Sequence, residues 1–223
     1  MPETRRPARR GPTAAKRRAI LEAGLAVFAA RGFARTSVEA VAERAGVSNR
    51  TIYNHFRGKA DLFQAVIESS ATLVADAQIG VVDRHLGAVP GDLAELEQRL
   101  IAFAVDWTTP LPRYELHRAL VGQVRAEVGH VPDSVIDAWQ QAGPQRVRAR
   151  LADVFAEFTG AGLLRGLDPP VAAEHFRRLV SLADPLRSRM APNGEEGAGR
   201  IADAVHAFLY GHAALGGRPR QKL

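Results

Sequence analysis

The stretch GVSNRTIYNHFRGKADLF, residues 46–63, decides the fold of this chain. Ser48 is a residue type that caps helices, and it precedes a helix predicted over residues 49–56. A helix this short is not stable alone, so we expect packing against neighbouring helices to hold it. Its first two residues, Asn49 and Arg50, are polar, which predicts that they face a partner outside the core.

Two more helices are predicted before this stretch. Thr13 is expected to cap the first helix, whose apolar residues recur every three to four positions and which ends at Gly32. Thr36 and Glu39 have the spacing of a capping box at the start of the second helix. Two short helices joined by a turn that contains glycine form a helix-turn-helix, whose second helix fits the major groove of DNA. The sequence therefore predicts a DNA-binding domain.

The charge is unevenly distributed along the 223 residues, whose formal net charge is +6. Residues 1–61 hold thirteen Lys or Arg and five Asp or Glu, a balance of +8, whereas residues 62–223 hold 17 and 19, a balance of −2. A basic surface attracts a polyanion such as DNA. The N-terminal segment is therefore the part that we expect to meet nucleic acid.

The segment TSVEAVAERAGVSNRTIYNHFRGKADLF, with the preceding ILEAGLAVFAARGFAR, resembles the N-terminal DNA-binding domain of the TetR family of one-component regulators. The resemblance covers about residues 16–67. It implies an all-helical homodimer whose variable C-terminal domain binds a small ligand and which usually represses transcription. Two departures are mild, since Gly24 stands where alanine is more usual and Val41 stands where isoleucine is.

The rest of the sequence shows helical periodicity and no alternating strand pattern. Glycines and a proline in residues 80–92 predict a loop. The predicted fold class is all-α, with an N-terminal three-helix helix-turn-helix domain joined by a long helix to an all-helical ligand-binding and dimerisation domain. Further helices are predicted over about 59–78, 93–107, 113–128, 133–158, 171–186 and 200–215, with a kink or a new start at Gly143-Pro144.

The predicted division of the chain follows from these elements. It consists of a basic flexible arm at 1–12, a helix-turn-helix DNA-binding domain at 13–58, a connecting helix at 59–80, the ligand-binding and dimerisation domain at 81–215 and a flexible tail at 216–223.

Four residues are predicted to contact DNA from their own chemistry. Asn49 and Arg50 can form bidentate hydrogen bonds with adenine and guanine edges respectively, and a solvated helix start is the alternative. Thr36 and Ser48 stand at predicted helix N-termini, where backbone N–H groups favour a phosphate. Each of these two residues can also serve only as a cap.

The resemblance implies roles for four more residues. Thr51 and Tyr53 are expected to contact bases or phosphates, His55 is expected to contact a phosphate or to pack, and Lys59 is expected to clamp a phosphate. The basic arm can reach an adjacent minor groove or stay solvated. Its arginines are Arg5, Arg6, Arg9 and Arg10.

One small domain contacts few bases, so pairing of two chains on an inverted-repeat operator is expected. The resemblance implies that the last two long helices pair the subunits in a four-helix bundle, although their apolar faces can equally be internal core. The residues concerned are Phe176, Leu179, Val180, Ala183, Ile201, Val205, Phe208 and Leu209.

Large apolar residues with a few polar groups in the middle helices are either core or the lining of a ligand cavity. The four candidates for the cavity are Phe103, Trp107, His117 and Trp139. No charged cluster selects a class of ligand.

Several function classes are not supported. The absence of cysteine removes disulfides, thiolate zinc sites and cysteine nucleophiles, and it fits a reducing compartment. We expect a cytoplasmic location, because the basic N-terminus lacks the apolar stretch of a signal peptide and no apolar run is long enough to span a bilayer. No motif for a nucleotide, a metal or a serine nucleophile occurs, so neither an enzyme nor a cofactor nor a metal is expected.

The sequence thus predicts a ligand-responsive transcriptional regulator, expected to repress from a palindromic operator as a homodimer and to leave it when a small molecule binds. One alternative is a sequence-tolerant architectural DNA-binding protein or a protein-binding adaptor on the same fold. Another is an enzyme that acts in a C-terminal cavity. An activating role, the effector class and the operator sequence stay open.

Overall fold

The computed structural model describes residues 12–109, 111–165, 168–180 and 195–212. These residues form ten α-helices and one short 3₁₀ turn at Pro112–Tyr114. The helices are α1 Pro12–Arg31, α2 Val38–Ala45, α3 Asn49–Tyr53, α4 Lys59–Leu86, α5 Leu93–Thr108, α6 Glu115–Ala126, α7 Asp133–Ala142, α8 Pro144–Gly160, α9 Pro169–Val180 and α10 Glu195–His212. The predicted all-α class is confirmed.

The long helix α4 extends further than predicted. Residues 80–86 are helical, so the prediction of a loop over 80–92 is wrong for its first half. Val82 and Leu86 are fully buried at helical spacing, and this packing outweighs the low helix propensity of Gly80. A Cβ at Gly80 would meet nothing within 4 Å, so this glycine marks neither a turn nor a close approach.

Two predicted caps are also corrected. The first helix begins at Pro12, a residue type that suits a first turn, so Thr13 lies inside the helix. At α2 the cap is Ser37, whose Oγ accepts a hydrogen bond from the Ala40 N–H at 3.2 Å. The neighbouring Thr36 is only 3% exposed, because its hydroxyl donates to the Gly32 carbonyl at 2.7 Å.

The chain forms two compact units that differ from the predicted division. Among the described residues, one unit combines those up to Val74 with Leu111–Gly143, and the other combines residues 75–109 with those from Pro144 onward. Helices α6 and α7, which we predicted in the ligand-binding domain, thus pack with the helix-turn-helix. The core of the first unit includes Ile20, Phe28, Val41, Ile52, Phe63, Leu120, Val124 and Val135.

A new helix begins at Gly143-Pro144, which is one of the two outcomes that the sequence left open. Gly143 ends α7 with its N–H donating to the Trp139 carbonyl at 3.1 Å, and Pro144 is the first residue of α8. A Cβ at Gly143 would lie 3.0 Å from the Cβ of Ala71. Glycine therefore lets the end of α7 approach α4 closely.

The core of the second unit contains most of the residues that we predicted at a dimer interface. Phe176 lies 5.0 Å from Phe208 and 5.6 Å from Phe155, measured between ring centroids. Within one chain these residues are buried, which agrees with the alternative that they form internal core, and their contact with a partner subunit stays a prediction; they are Phe176, Val180, Ile201, Val205, Phe208 and Leu209. Leu179 is 43% exposed, and Ala183 lies outside the described residues.

Among the described residues, α4 is the one helix whose length and apolar composition would suffice to cross a membrane. Its apolar side chains instead supply both cores. Leu62, Phe63 and Ile67 are buried in the first unit, and Val82 and Leu86 are buried in the second. The helix is therefore a core helix.

Candidate nucleic-acid interface

The turn between α2 and α3 depends on Gly46. Gly46 has φ +65, a left-handed conformation that glycine adopts without strain. Its N–H donates to the Glu43 carbonyl at 3.1 Å, and the Val47 N–H donates to the Ala42 carbonyl at 3.0 Å. Both bonds close the end of α2 and direct the chain into α3.

Ser48 caps α3 as predicted. Its Oγ accepts a hydrogen bond from the Thr51 N–H at 3.2 Å and lies 2.9 Å from the Thr51 hydroxyl. Ile52, one residue later, is fully buried. A helix of five residues is thus held by one cap and one core side chain, and the half-buried Thr51 in its middle is fixed by the contact with Ser48.

The polar start of α3 faces away from the core. Asn49 and Arg50 are exposed, and Tyr53 is 54% exposed at the other end of the helix. Solvent-facing side chains with these donors and acceptors can contact base edges or phosphates. Their contact with DNA stays a prediction.

His55 lies after α3 rather than on it, because α3 ends at Tyr53 and not near Phe56. The His55 N–H donates to the Ile52 carbonyl at 2.9 Å, which tightens the last turn. Lys59 opens α4, with its Nζ donating to the Ala34 carbonyl at 3.0 Å and lying 4.7 Å from the centroid of the Phe33 ring. The Lys59 ammonium is therefore held at the turn between α1 and α2.

Two candidate residues were missed by the sequence analysis. Ser37 is exposed at the N-terminus of α2, in the place that we assigned to Thr36. Arg17 is exposed on α1, and its guanidinium lies 5.4 Å from the centroid of the Phe56 ring, beside the residues that follow α3. The run Lys16–Arg18 indicated a basic helix start, but no local signal shows which of its side chains turns towards α3.

The Asp61 carboxylate, in the first turn of α4, bonds to the segment that joins α3 to α4. Asp61 accepts a hydrogen bond from the Arg57 N–H at 2.9 Å and pairs with the Arg57 guanidinium at 3.4 Å. The backbone N–H of Arg57, followed by its side chain, lowers the pKa of the Asp61 carboxyl. Asp61 therefore fixes the start of α4 next to Lys59. The arginines of the arm, Arg5, Arg6, Arg9 and Arg10, lie outside the described residues.

The four candidates for a ligand cavity are divided between the units. Phe103 and Trp107 belong to the second unit, with ring centroids 5.3 Å apart, and Phe103 is only 1% exposed. His117 and Trp139 belong to the first.

In the first unit, His117 Nδ1 lies 2.8 Å from the Ser70 Oγ, and Trp139 Nε1 is buried without a hydrogen-bond partner in the described part of the chain. Burial, with a smaller effect of Arg118, lowers the pKa of His117 to about 4. None of the four candidates lines the open groove of about 610 Å³ between α4 and α7, whose walls include Gln64, Glu68, Ser134 and Asp137.

Models of two protein families match this chain. Residues 20–66 match bacterial regulatory proteins of the tetR family. Residues 99–213 match the C-terminal domain of AefR-like transcriptional repressors. Together they cover the helix-turn-helix and most of the residues that follow α4.

Individual proteins are similar over much of the chain. The transcriptional regulator AcuR of Cereibacter sphaeroides is 30% identical over 166 residues, which cover 70% of this chain and 69% of AcuR. A TetR-family regulator from Mesorhizobium loti superposes with a TM-score of 0.72 at 26% identity and covers 91% of this chain and 99% of its own. The flavonoid-responsive regulator FrrA superposes with a TM-score of 0.66 at 29% identity, over 89% of this chain and 97% of its own.

Proposed function

Since the chain belongs to the TetR family of bacterial regulatory proteins, we propose that it represses transcription from an inverted-repeat operator as a homodimer and is released by a small molecule. It is a helix-turn-helix transcriptional regulator, and its family is not enzymatic. The observation that carries the proposal is the exposed polar start of α3, which is fixed by the Ser48 cap and the buried Ile52. Such a helix start suits the major groove.

The proposed base contacts come from Asn49 and Arg50. An amide can bond the N6 and N7 edge of adenine, and a guanidinium can bond the O6 and N7 edge of guanine. Thr51 is restrained by its hydroxyl contact with Ser48, 2.9 Å between the two oxygens, so it offers a preset group beside these two. Side chains held in one geometry lose little entropy on binding.

Phosphate contacts are proposed on both sides of α3. The proposed phosphate-contacting residues are Ser48, Tyr53, His55 and Lys59. The exposed Ser37 replaces the buried Thr36 in this set. The Lys59 ammonium has three donors, of which the Ala34 carbonyl takes one. Two donors are left for a phosphate.

Arg17 joins the same set. Its guanidinium is exposed and lies over Phe56. Stacking on an aromatic ring leaves the hydrogen-bonding edge of a guanidinium available.

The proposed dimer uses exposed positions of α9 and α10. Leu179 is 43% exposed and Tyr210 is 60% exposed, while the apolar side chains next to them are buried in their own subunit. Apolar and aromatic groups of this kind are typical of the centre of an interface. An inverted-repeat operator follows from the two-fold axis of such a dimer.

The proposed release is a shift between two states of the dimer. The effector would favour a state in which α4, which begins next to the helix-turn-helix and ends in the second unit, holds the two recognition helices out of register with the operator. A coupling of about 1–3 kcal/mol is usual for such regulation. Phe103, Trp107, His117 and Trp139 stay candidates for effector contact, and the proposed location is the cytoplasm.

The test is selection of binding sites from a random pool of DNA duplexes at near-physiological salt, because non-specific phosphate attraction falls steeply with salt. We expect an inverted repeat to be enriched. DNA binding without enrichment would favour the architectural alternative. A chain that binds no duplex would contradict the proposed function.

A further inference from the structure

The turn between α1 and α2, residues 32–37, has its central peptide groups bonded to side chains from elsewhere in the first unit. The Ala34 N–H donates to Oε2 of Glu127 at 3.0 Å, and the Ala34 carbonyl accepts from Nζ of Lys59 at 3.0 Å. Glu127 follows α6 and Lys59 opens α4. The middle of the turn is therefore held by two residues that are distant in sequence, one after the end of α6 and one at the start of α4.

The backbone of Glu127 is itself fixed. Its N–H donates to the Gln123 carbonyl at 2.9 Å, and its carbonyl accepts from the N–H groups of His130 and Val131 at 2.7 and 3.2 Å. Val124 and Val131, on either side of it, are buried in the core of the first unit. The carboxylate thus reaches the turn from a position that packing determines.

Gly32 provides the space that the carboxylate needs. Its φ is +77, and a Cβ on this residue would lie 2.7 Å from Cδ of Glu127. A side chain at position 32 would therefore meet both an unfavourable backbone conformation and the Glu127 carboxyl group. The Gly32 carbonyl accepts from the Thr36 hydroxyl at 2.7 Å, which closes the turn on its other side.

The turn decides where α2 begins, because Val38 follows it directly. Val41 of α2 and Ile52 of α3 are both fully buried in one core. Because protein cores are close-packed, a shift of α2 would also displace α3. We propose that Glu127 is a positioning residue for DNA recognition, which holds the turn between α1 and α2 so that α3 presents Asn49 and Arg50 in one orientation.

This inference rests on the proposed DNA-binding function. It adds that DNA recognition depends on Glu127, which lies in the range that matches the C-terminal family domain, residues 99–213.

The experiment compares three variants of the full chain. Glu127→Ala removes the acceptor for the Ala34 N–H, Glu127→Gln keeps an oxygen acceptor, and Glu115→Ala removes an equal charge from an exposed position at the other end of α6. Affinities are measured for the duplex enriched by selection and for a scrambled duplex, at a temperature at which circular dichroism shows every variant folded. The readout is the ratio of the two affinities, which a purely stabilising residue would not change.

We expect Glu127→Ala to lower this ratio by about tenfold, since the loss of a hydrogen bond to a charged group is of that order. Glu127→Gln and Glu115→Ala are expected to stay within about twofold of the wild type. A folded Glu127→Ala protein with an unchanged ratio would overturn the inference.

If Glu127→Ala does not fold, the Glu127→Asp variant tests the inference instead. It keeps the charge but is one methylene shorter, so its carboxylate should not reach the Ala34 N–H, and the same fall in the ratio is expected. An unchanged ratio in Glu127→Asp would overturn the inference.

Amide hydrogen exchange at Ala34 gives an independent readout. Exchange should be faster in Glu127→Ala or Glu127→Asp than in the wild type, and equal rates would again overturn the inference. If the wild type does not distinguish the two duplexes, the proposed function fails, whereas the exchange rates still show whether Glu127 holds the turn.

Discussion

At the scale of the residue, the proposed DNA contacts depend on side chains that bonds within the chain already hold in place. Ser48 contacts both the N–H and the hydroxyl of Thr51, and Lys59 is held by the Ala34 carbonyl. Ser48 was predicted from its residue type, whereas Thr51 and Lys59 were implied by the family resemblance. The bond of Lys59 was not predicted, because no local pattern brings α4 to the turn before α2. Exposure separates Asn49 and Arg50, which remain candidates, from Thr36, whose hydroxyl is buried.

Direct readout by the start of α3 predicts a loss confined to particular base pairs. Asn49→Ala and Arg50→Ala should each cost about 1–3 kcal/mol of binding free energy on the enriched duplex and relax the preference at one position of each half-site. Asn54→Ala, an exposed asparagine just after α3, is the matched control and should leave the preference unchanged. Repeating the selection with each variant measures this. A uniform loss on all duplexes would indicate that these residues contact only phosphates.

Arg17 is predicted to act on all duplexes alike. Arg17→Ala should weaken binding to enriched and scrambled DNA equally, and should reduce the slope of log K against log salt by about 0.9, the value for one lost phosphate contact. Arg18→Ala removes the same charge from a side chain that lies 3.9 Å from Glu22 and should change the slope less. Titrations at several salt concentrations give both slopes. Equal slopes for the two variants would contradict the proposed contact between Arg17 and a phosphate.

At the scale of the element, the existence of most helices was predictable and their ends were less so. Apolar periodicity located α1, α2 and α5 because each has one buried face. The end of α4 was misplaced because a glycine that faces open space resembles a helix stop in sequence. The cap of α2 was misplaced by one residue because Thr36 and Ser37 are both capping types, and only the fold shows that the Thr36 hydroxyl bonds backwards to Gly32.

The packing of α1 against α4 explains the unusual Gly24. A Cβ at Gly24 would lie 2.7 Å from Cγ2 of the buried Val66. Gly24→Ala should therefore destabilise the protein, because the cost of overpacking, about 1–3 kcal/mol, exceeds the gain in helix propensity, about 1 kcal/mol. In a Val66→Ala background the same change should stabilise it by up to about 1 kcal/mol. Urea unfolding of the four proteins measures the cycle, and equal effects in both backgrounds would contradict the role of this contact.

The contact between α4 and α6 makes stability depend on pH. The pKa of His117 is lowered to about 4 from an ordinary value of 6.5, so between these values the unfolded chain binds more protons than the folded one. The stability contributed by neutral His117 is present above about pH 6.5 and is lost as the pH falls. The free energy of unfolding should drop by about 2 kcal/mol between pH 7 and pH 5 from this group alone. His117→Gln should remove that part of the drop, and an unchanged pH profile would contradict it.

At the scale of the whole molecule, the composition of the two units was the least predictable feature. The hydrogen bond between Ala34 and Glu127 joins residues 93 positions apart, and no periodicity or motif signals it. Residues 111–143 were placed with the ligand-binding domain because they follow the loop after α4 in sequence, yet they share a core with the helix-turn-helix. The sequence also left two alternatives open for the last two helices, since an apolar helix face looks the same in sequence whether it packs inside one chain or against another.

The proposed dimer therefore depends on the side chains that one chain leaves exposed. Leu179→Glu would place a charge at the proposed interface on α9, where an unpaired carboxylate would be costly to bury. We expect this variant to sediment as a folded monomer at micromolar concentration. Leu116→Glu, at a 46% exposed leucine of α6, is the matched control and should remain a dimer.

The two oligomeric states predict different DNA binding. A monomer has one recognition helix and should bind the full inverted repeat only about as tightly as a half-site, because linking two binding events raises affinity far above that of each one. If Leu179→Glu sediments as a dimer, the subunits pair through another surface. If it is a monomer that retains full operator affinity, a single chain suffices for recognition and the inverted-repeat model is wrong.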